Sequence, residues 1–533
     1  MCISVQQITY IHPDKEMLFH DLSFSVSKGQ KVALVGNNGV GKSTLLQIMN
    51  GNLSVSSGEI IRGSLPYYIP QHFGQYNGMT VAQALDIDSK LNALHAILGG
   101  DATDKNFAVL ADDWSIEERA LSALASWGLE HISLSSSLNE LSGGEKTKVF
   151  LAGINIHQPE FILMDEPTNH LDYLSREKLY EFIASSRATI IVVSHDRTLL
   201  NRLTGIYELS KSSMSYYPGN YEFYKEQKGI ELDSLQARLE EKEKEMRQAR
   251  KIARETAERS QKRDVRNKKK EEKGGIPRIM VNMLRNKAEK STSKLNDVHD
   301  QKMGAIAENI ADIRSALPDK KAMKTDFNTS SLHTGKILVT AKDVNFSYGD
   351  TLLWKHAFDF QIKSGERILI KGGNGSGKTT LLKLITGELQ PSEGEMSLSD
   401  FRYVFLDQEY SIINNSLTVF EQVRQFSNEL QDHEIKTILN RFLFSYETWD
   451  KTCDKLSGGE KMKLALCCLM VGANTPDVFI LDEPTNNIDI SNIEILTSTI
   501  KEYKGTVLLV SHDNYFADQI GIDYEIVVDN NRL

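Results

Sequence analysis

Short apolar runs of strand length occupy matching places in the two halves of the chain. They cover Lys31–Val35, 161–164, 190–193, 367–370, 478–481 and 507–510. Runs of this length predict buried β-strands, and they fall far short of the roughly 20 apolar residues that a bilayer crossing needs. The pattern therefore predicts soluble globular domains and no membrane span.

Between the halves the apolar pattern becomes helical. One run has three- and four-residue spacing, with Lys242 interrupting the seam: Leu232, Leu235, Leu239, Met246 and Ala249. The Gly-Gly-Ile-Pro sequence of residues 274–277 ends this helix. A second run ends at Pro318: Leu295, Val298, Ile306, Ile310, Ile313 and Leu317. Two long helices with a sharp break predict an antiparallel hairpin, residues 227–335, between globular domains at 1–226 and 336–533.

Four sequence motifs occur twice, in the same order. Residues 36–43 recur as 372–379, 141–145 as 456–460, 163–169 as 480–486, and 194–196 as 511–513. The interval from Glu166 to His195 is 29 residues, and so is the interval from Glu483 to His512. Order and spacing agree too closely for chance, so the chain contains a duplicated domain.

A glycine-rich loop follows the first apolar strand of each repeat. Backbone N–H groups of such a loop wrap phosphate oxygens, and the helix that it opens favours an anion. Lys42 and Lys378 would reach the β- and γ-phosphates, and the hydroxyls of Ser43 and Thr379 would ligate Mg²⁺. The predicted nucleotide-binding residues are Gly36, Asn37, Asn38, Gly39, Val40, Gly41, Lys42, Ser43 and Thr44, and Gly372, Gly373, Asn374, Gly375, Ser376, Gly377, Lys378, Thr379 and Thr380.

Each repeat also has paired carboxylates at the end of an apolar strand. Asp165 and Asp482 are placed to hold Mg²⁺ directly or through water. Glu166 and Glu483 follow them and can polarise the water that attacks the γ-phosphate. A purely structural glutamate would fit the spacing alone, but the upstream loop and the downstream histidine favour catalysis.

Together these motifs resemble the ATP-binding-cassette family over both halves, and Leu-Ser-Gly-Gly-Glu is that family's signature. The resemblance implies an α/β fold with two P-loop NTPase cassettes and two composite ATP sites. Lys42 would share one nucleotide with Ser457, and Lys378 would share the other with Ser142. The signature residues expected to bind nucleotide are Ser142, Gly143, Gly144, Ser457, Gly458 and Gly459.

The same resemblance implies roles for further residues. His195 and His512 would sense the γ-phosphate, and Asp172 and Asp489 would lie in loops that touch the opposing cassette. Gln71 and Gln408 match the glutamine that contacts Mg²⁺ and water. Tyr348 matches the aromatic residue that stacks on adenine, whereas the first half offers either His12 or Tyr10. No catalytic position is degenerate, so both sites are expected to hydrolyse ATP.

Two fused cassettes with a long helical linker resemble the ABC-F subfamily. Residues 165–172 and 482–489, and Tyr-Pro-Gly-Asn-Tyr at 217–221, strengthen the likeness. The resemblance implies a cytoplasmic monomer whose own cassettes pair and which acts on the ribosome. Its hairpin would point toward the P-site tRNA and the peptidyl-transferase centre. The implied roles are translation factor, rescue of stalled ribosomes, and protection against ribosome-targeting antibiotics.

The charge pattern independently favours an RNA partner. Residues 246–294 contain 17 lysines and arginines against 6 acidic residues, a net charge of +11, while the whole chain carries −10. A basic tip on an acidic body is typical of localised phosphate binding, although a solvated helical face is the alternative. The predicted RNA-binding residues are Lys262, Arg263, Arg266, Lys268, Lys269, Lys270, Lys273, Arg278, Arg285, Lys287 and Lys290.

Other functions are less consistent with the sequence. The rival is an ATP-binding subunit of a transporter that docks on separate membrane proteins, and a DNA-repair ATPase ranks third. Four scattered cysteines fit neither a disulfide framework nor a zinc site, and the N-terminus has no signal-peptide pattern. The first cassette has 22 more residues between Gln71 and Leu141 than the second has between Gln408 and Leu456. They form either a short arm or an ordinary loop.

Overall fold

The structure is a computed structural model, in which the chain forms two compact units. One unit comprises Met1–Tyr224 and Ala322–Leu533 and contains both cassettes, and the other is Lys225–Lys321. The domain boundaries at 226 and 335 stay predictions. The residues described are 2–13, 15, 17–210, 213–271, 298, 301–314, 317, 332–349, 351–408, 410–427, 430–471 and 476–529.

The first cassette alternates strands and helices. Its strands are β1 (Ile3–Ile11), β2 (Met17–Val26), β3 (Lys31–Val35), β4 (Ser57–Arg62), β5 (Tyr67–Ile69), β6 (Phe161–Asp165), β7 (Thr189–Val193), β8 (Gly205–Leu209) and β9 (Met214–Tyr217). Its helices are α1 (Lys42–Asn50), α2 (Val81–Ala84), α3 (Asp88–Leu98), α4 (Asp104–Leu110), α5 (Ile116–Ser126), α6 (Gly143–His157), α7 (Tyr173–Ser185) and α8 (Arg197–Leu200).

The main sheet of this cassette has the strand order β5-β6-β7-β3-β8-β9, parallel except at the β8–β9 edge. A smaller antiparallel sheet has the order β2-β1-β4. Alternate residues of β7 enter two cores: Ile190 and Val192 pack in one, and Ile191 and Val193 in the other. Because the sheet is covered on both faces, its strands are apolar throughout, which is why the predicted runs are confirmed as strands.

Two helices form the described part of the linker unit: α10 (residues 301–314) and all but the first four residues of α9 (Tyr221–Glu271). Met246 and Ala249 of α9 pack against Ile306 of α10, and Arg314 Nη2 lies 2.6 Å from Glu243 Oε1. Residue numbers rise along one helix while they fall along the other, so the helices are antiparallel, as predicted. The predicted break at 274–277 lies outside the described residues.

The second cassette repeats the architecture of the first. Its strands are β10 (Ile337–Asn345), β11 (Phe358–Lys363), β12 (Arg367–Lys371), β13 (Glu393–Leu398), β14 (Tyr403–Leu406), β15 (Val478–Asp482), β16 (Thr506–Val510) and β17 (Tyr524–Val527). Its helices are α11 (Lys378–Ile385), α12 (Val419–Phe426), α13 (Asp432–Arg441), α14 (Gly458–Val471), α15 (Ile490–Glu502) and α16 (Asn514–Ile520). The sheets have the orders β14-β15-β16-β12-β17 and β11-β10-β13.

The extra residues of the first cassette are helical, so the interpretation as an ordinary loop is wrong. Helices α3 and α4 lie in this segment, and Leu91, Leu94 and Leu110 are buried in the cassette core. Their apolar faces therefore contribute to the domain. Within the part of the chain that the structure describes, no helix is both long and apolar enough to cross a bilayer.

The linker hairpin yields a stability prediction. Ile306→Asp places a carboxylate in the small apolar cluster with Met246 and Ala249. Losing that burial costs about 2 kcal/mol, so amide hydrogen exchange near residues 243–249 should accelerate by at least about tenfold. Ala307→Asp puts the same side chain at an exposed position of α10 and is the control. Equal exchange in the two variants would contradict the packing described.

Candidate active sites

Three neighbouring strands bring the predicted catalytic glutamate, the histidine and the phosphate loop of each cassette to one edge of its sheet. In the first cassette β6 ends beside Glu166, β7 ends before His195, and the phosphate loop follows β3. These strands are adjacent and parallel, so their carboxyl ends meet, the usual place for a ligand in such sheets. Strands β15, β16 and β12 do the same for Glu483, His512 and the second loop.

Each phosphate loop ends on a glycine with left-handed backbone. Gly41 has φ 101° and precedes α1, and Gly377 has φ 96° and precedes α11. A Cβ on Gly377 would lie 2.8 Å from Nε1 of Trp354, which donates to the Ser376 carbonyl at 2.9 Å. Only glycine fits there without displacement. Trp354 thus supports the second loop, a role that no motif indicated.

The loop lysines lie inside their own loops. Lys42 Nζ donates to the carbonyls of Gly36 at 2.7 Å and Asn37 at 3.1 Å. Lys378 Nζ donates to those of Gly372 at 2.8 Å and Gly373 at 2.9 Å. Burial lowers the pKa of Lys42, while Glu166, Asp489 and Asp165 act in the opposite direction. Each ammonium is therefore held at the strand edge where phosphates would bind.

A cavity of about 380 Å³ gathers most of the first predicted site. His12 lines it, whereas Tyr10 is buried in the core with its ring 5.3 Å from the His12 ring. Of the two candidates for adenine contact, the structure therefore places His12 at the cavity. The lining residues are His12, Leu18, Asn38, Gly39, Gly41, Lys42, Ser43, Thr44, Gln71, Asp165, Glu166, Val193, His195 and Asn487.

The oxygen donors of the first site suit a magnesium ion. Asp165 is buried, its carboxylate accepts from Ser43, and its Oδ1 has no protein partner. Gln71 lines the same cavity. Carboxylate, hydroxyl and amide oxygens are the ligands that Mg²⁺ prefers, with phosphates completing the shell.

The corresponding residues of the second site are less enclosed. Burial raises the pKa of Asp482 at the end of β15, and Thr379 is exposed at the start of α11. Gln408 is exposed just after β14, the strand that pairs with β15. The three predicted magnesium residues thus lie on neighbouring elements of this cassette.

Each predicted catalytic glutamate contacts the histidine that follows the neighbouring strand. The His195 backbone N–H donates to Glu166 Oε2 at 3.4 Å, and His195 Nε2 lies 3.4 Å from Glu166 Oε1. His512 and Glu483 repeat this with distances of 3.3 and 3.4 Å. Both glutamates have φ 48°, a left-handed backbone that non-glycine residues rarely adopt. Both sites share this strained backbone conformation, which fixes the position from which each glutamate side chain projects.

Burial dominates the electrostatics of these pairs. It raises the pKa of Glu166, and it lowers the pKa of His512 to about 3, so the histidine is neutral at physiological pH. Burial also raises the pKa of Glu483 to about 7, opposed first by the positive charge of Arg176 in the other cassette. Neutral histidines and buried carboxyl groups are suited to proton transfer near neutral pH.

The two cassettes contact each other through these same loops. The backbone N–H of Asn38 donates to Asp489 Oδ2 at 3.3 Å, and the Asn38 amide donates to the Asn487 carbonyl at 3.3 Å. Reciprocally, Asn374 Nδ2 donates to the His170 carbonyl at 2.8 Å. His170 and Asn487 each lie four residues after a predicted catalytic glutamate, a signal that equal offsets in the repeats could have revealed.

The signature sequences begin helices that face these contacts. Ser142 caps α6, accepting from the Glu145 backbone N–H, while the Glu145 carboxylate accepts from the Ser142 N–H at 2.8 Å. A Cβ on Gly144 would lie 3.3 Å from Nδ2 of Asn374 in the opposite phosphate loop. The predicted partners of the second composite site are therefore adjacent. Gly458, after Ser457, packs against Asn487, which contacts Asn38.

The remaining predicted residues lie away from an enclosed site. Tyr348 is 66% exposed, and its hydroxyl is 3.1 Å from Thr380 Oγ1 in α11, beside the second phosphate loop. Lys262 and Arg266 are exposed on α9. The side chains of Arg263, Lys268, Lys269 and Lys270, and residues Lys273, Arg278, Arg285, Lys287 and Lys290, lie outside the described part of the structure.

Two arginines that the sequence did not indicate are buried at the interface. Arg197 Nη2 lies 3.3 Å from Asp513 Oδ2, and its guanidinium stacks over the Tyr515 ring at 4.4 Å. Arg176 Nη1 lies 3.9 Å from Asp196 Oδ2. Neither belongs to a repeated motif, so no sequence signal distinguished them from surface arginines.

Solved structures share this fold. The crystal structure of the complex of archaeal ribosomal stalk protein aP1 and archaeal ribosome recycling factor aABCE1 matches with a TM-score of 0.60 and 20% identity, over 98% of this chain and 87% of that chain. A structure named RNase-L Inhibitor matches with a TM-score of 0.58 and 20% identity, over the same shares of the two chains. At this identity the likeness concerns the fold alone.

Sequence comparisons identify the family. The family model described as ABC transporter matches residues 19–169 and 356–486. ABC transporter F family member 5 of Arabidopsis thaliana is 30% identical over 532 residues, which is 94% of this chain and 71% of the relative. ATP-binding protein Uup of Escherichia coli (strain K12) is 29% identical over 94% of this chain and 76% of the relative. With both cassettes matched, the chain belongs to the ATP-binding-cassette family as a tandem-cassette ABC-F ATPase.

Proposed function

We propose that the chain binds two Mg²⁺–ATP molecules between its cassettes and uses their hydrolysis to control an action on the ribosome. The ATPase part is supported by the loop contacts across the cassette interface. Asn38 meets Asp489 and Asn487 of the other cassette, and Asn374 meets His170 and Gly144. Nucleotide phosphates at either loop would touch both cassettes, so binding favours the closed arrangement and loss of the γ-phosphate weakens it.

Each residue then has a defined part in hydrolysis. Backbone N–H groups of the loop and Lys42 hold the phosphates, and Glu166 takes a proton from the attacking water. The neutral His195 lies beside this glutamate and orients it. Ser43, Asp165 and Gln71 would hold Mg²⁺, which would supply positive charge beside the phosphate oxygens. The second site uses Lys378, Glu483, His512, Thr379, Asp482 and Gln408 in the same parts.

The ribosomal part is carried by the charge of the linker. Lys262 and Arg266 are exposed on α9 within a segment of net charge +11, whereas the rest of the chain is strongly acidic. An acidic body repels RNA, so a basic helical element would direct phosphate contacts to itself. We propose that this hairpin approaches the P-site tRNA and the peptidyl-transferase region. The protein would act as a monomer, either in translation or in protection against an antibiotic.

Replacing both glutamates tests the ATPase assignment. The double variant Glu166→Gln and Glu483→Gln should lower the ATP turnover rate by at least about 100-fold, because amide side chains cannot accept the water proton. ATP affinity should stay within about threefold, and the variant should remain bound to ribosomes in ATP.

The control is Glu160→Gln, the same chemical change at an exposed residue that pairs with Lys28 on the surface. It should turn over and release from ribosomes as the unaltered chain does. The catalytic assignment would be wrong if the double variant kept its turnover. The coupling to ribosome release would be wrong if the double variant dissociated at the control's rate.

Neutralising the linker tests the RNA contact. Lys262→Gln together with Arg266→Gln should weaken ribosome association at about 0.1 M salt. It should also reduce the slope of log affinity against log salt by about two, one for each lost phosphate contact. Co-sedimentation at several salt concentrations measures both quantities, and ATP binding should be unchanged.

Arg254→Gln together with Arg259→Gln is the matched control. It removes the same charge from exposed positions of α9, but these arginines already pair with Glu258 and Glu255. The slope of log affinity against log salt should change by less than one for this control. Equal slopes for the two double variants would instead favour a solvated helical face.

The alternative function is an ATP-binding subunit that docks on separate membrane proteins. Recruitment to membranes by a permease, with no salt-sensitive ribosome association, would favour it. Within the ribosomal proposal, minimum inhibitory concentrations of ribosome-targeting drugs, with and without the chain expressed, distinguish antibiotic protection from a translation role. Protection predicts a selective increase for drugs that bind near the peptidyl-transferase centre.

A further inference from the structure

The aspartate that follows each predicted γ-phosphate-sensing histidine is held differently in the two cassettes. These aspartates are Asp196 and Asp513. Each begins a short helix, because one of its carboxylate oxygens accepts backbone N–H groups in the first turn of α8 or of α16. The second oxygen of each carboxylate is then held by side chains, and those side chains come from different places in the two cassettes.

In the first cassette the partners of Asp196 belong to the same cassette. The Tyr180 hydroxyl donates to Asp196 Oδ2, and Arg176 Nη1 lies 3.9 Å from the same oxygen. Both partners are residues of α7. Asp196 is therefore secured from within its own domain, with a hydroxyl and a cation beside the carboxylate.

The second cassette has neither of these partners at the matching positions. Arg176 and Ile493 each lie ten residues after a predicted catalytic glutamate, and Tyr180 and Thr497 each lie fourteen residues after it. Ile493 has no polar side-chain atom, and the Thr497 hydroxyl donates to the Ile493 carbonyl at 2.7 Å. Helix α15 therefore replaces neither the cation nor the hydroxyl that α7 supplies in the first cassette.

Asp513 instead receives its partner from the first cassette. Arg197 Nη2 donates to Asp513 Oδ2 at 3.3 Å, and Arg197 Nη1 donates to Gln519 Oε1 at 3.1 Å. The guanidinium also lies over the Tyr515 ring, 4.4 Å from its centre. The planar fork of an arginine can make these contacts at once, so the 1% exposed Arg197 has a fixed place against α16. The position equivalent to Arg197 in the second cassette holds the uncharged Asn514.

The buried carboxyl group of Asp513 depends on this arginine. Burial raises the pKa of Asp513, and Arg197 opposes that rise more strongly than Arg176 does. Removing one member of a buried charge pair leaves the other without compensation, which is strongly unfavourable. Without the guanidinium, Asp513 would therefore leave its present position or bind a proton.

A displacement of Asp513 would reach the predicted catalytic pair of the second site. His512 precedes Asp513 in the chain, and its backbone N–H donates to Glu483 Oε2 at 3.3 Å. His512 Nε2 lies 3.4 Å from Glu483 Oε1. Because one peptide unit joins the two residues, the position of Asp513 limits where the His512 ring can lie beside the glutamate.

We infer that Arg197 is a positioning residue for the second ATP site, which acts across the cassette interface on Asp513 and thereby holds His512 in place. Arg197 does not touch the reacting atoms. Hydrolysis at the second site then requires this contact between the cassettes, whereas the corresponding aspartate of the first site is held by α7 of its own cassette. The inference rests on the catalytic roles proposed for the two glutamates.

The test isolates each site with a single glutamine substitution. The Glu166→Gln background keeps the second site, and the Glu483→Gln background keeps the first. Arg197→Asn, which introduces the residue type of the equivalent position, should lower kcat about tenfold in the Glu166→Gln background and by less than about threefold in the other. KM for ATP should change by less than about twofold, because Arg197 lies outside the phosphate loops.

Three further variants separate positioning from a general structural effect. Tyr180→Phe removes the hydroxyl that holds Asp196, so it should give the opposite pattern, with the larger loss of kcat in the Glu483→Gln background. Arg197→Lys keeps the positive charge and should recover at least about threefold of the lost kcat at the second site. Arg187→Asn makes the same change at an exposed position and should leave kcat within about twofold in both backgrounds.

Hydrogen exchange measures the position of Asp513 without any turnover. The Phe516 backbone N–H donates to Asp513 Oδ1 at 2.9 Å. In the otherwise unaltered chain, Arg197→Asn should accelerate exchange of the Phe516 amide by at least about fivefold, because the carboxylate that accepts its hydrogen bond loses its other partner. Tyr180→Phe should leave the exchange of this amide within about twofold.

The outcomes distinguish this inference from the catalytic assignment. Equal losses of kcat in the two backgrounds, no recovery with lysine, or unchanged Phe516 exchange would overturn the role of Arg197 and leave the glutamates as catalytic bases. Absence of turnover in either single glutamine variant would also overturn it, because the two sites would then not act separately. Turnover that persists in the double glutamine variant would overturn the catalytic assignment itself.

Discussion

The contact between each phosphate loop and the loop after the opposite cassette's predicted catalytic glutamate is the constraint on which the rest of the structure depends. Asn38 and Asn374 lie at equivalent positions and both donate across the interface, to the Asn487 and His170 carbonyls. Asn169 and Asn487 also meet, with 3.0 Å between Nδ2 and Oδ1. These short polar contacts place each phosphate loop against the opposite cassette, so a phosphate bound there would lie next to both cassettes.

Burial of charge is the second consequence of this pairing. Lys42, Glu166 and His195 are buried at the paired loops. Burial lowers the pKa of Lys42 and of His195 and raises the pKa of Glu166, so it favours the neutral form of each group. The same burial brings Arg197 against Asp513 and Arg176 against Asp196. A buried charge is costly unless it is paired, and the Arg197–Asp513 pair meets this need across the interface.

The pairs are not symmetric, although the cassettes are duplicated. Both interface arginines come from the first cassette, and the equivalent positions hold Ile493 and Asn514. A tandem protein can acquire this difference because each half mutates independently, whereas a homodimer would carry every change twice. The asymmetry therefore belongs to the fused architecture.

The sequence by itself determined the two cassettes, their strands and the residues of each motif. Apolar runs become strands because the main sheets are buried on both faces, and the loops occupy fixed places at strand ends. Only the tertiary structure decided that His12 rather than Tyr10 lines the first site, that α3 and α4 pack into the core, and that Arg197 pairs with Asp513 of the other cassette. Motif spacing reports neighbours along one chain segment, but these contacts join separate elements of the chain, so only packing could specify them.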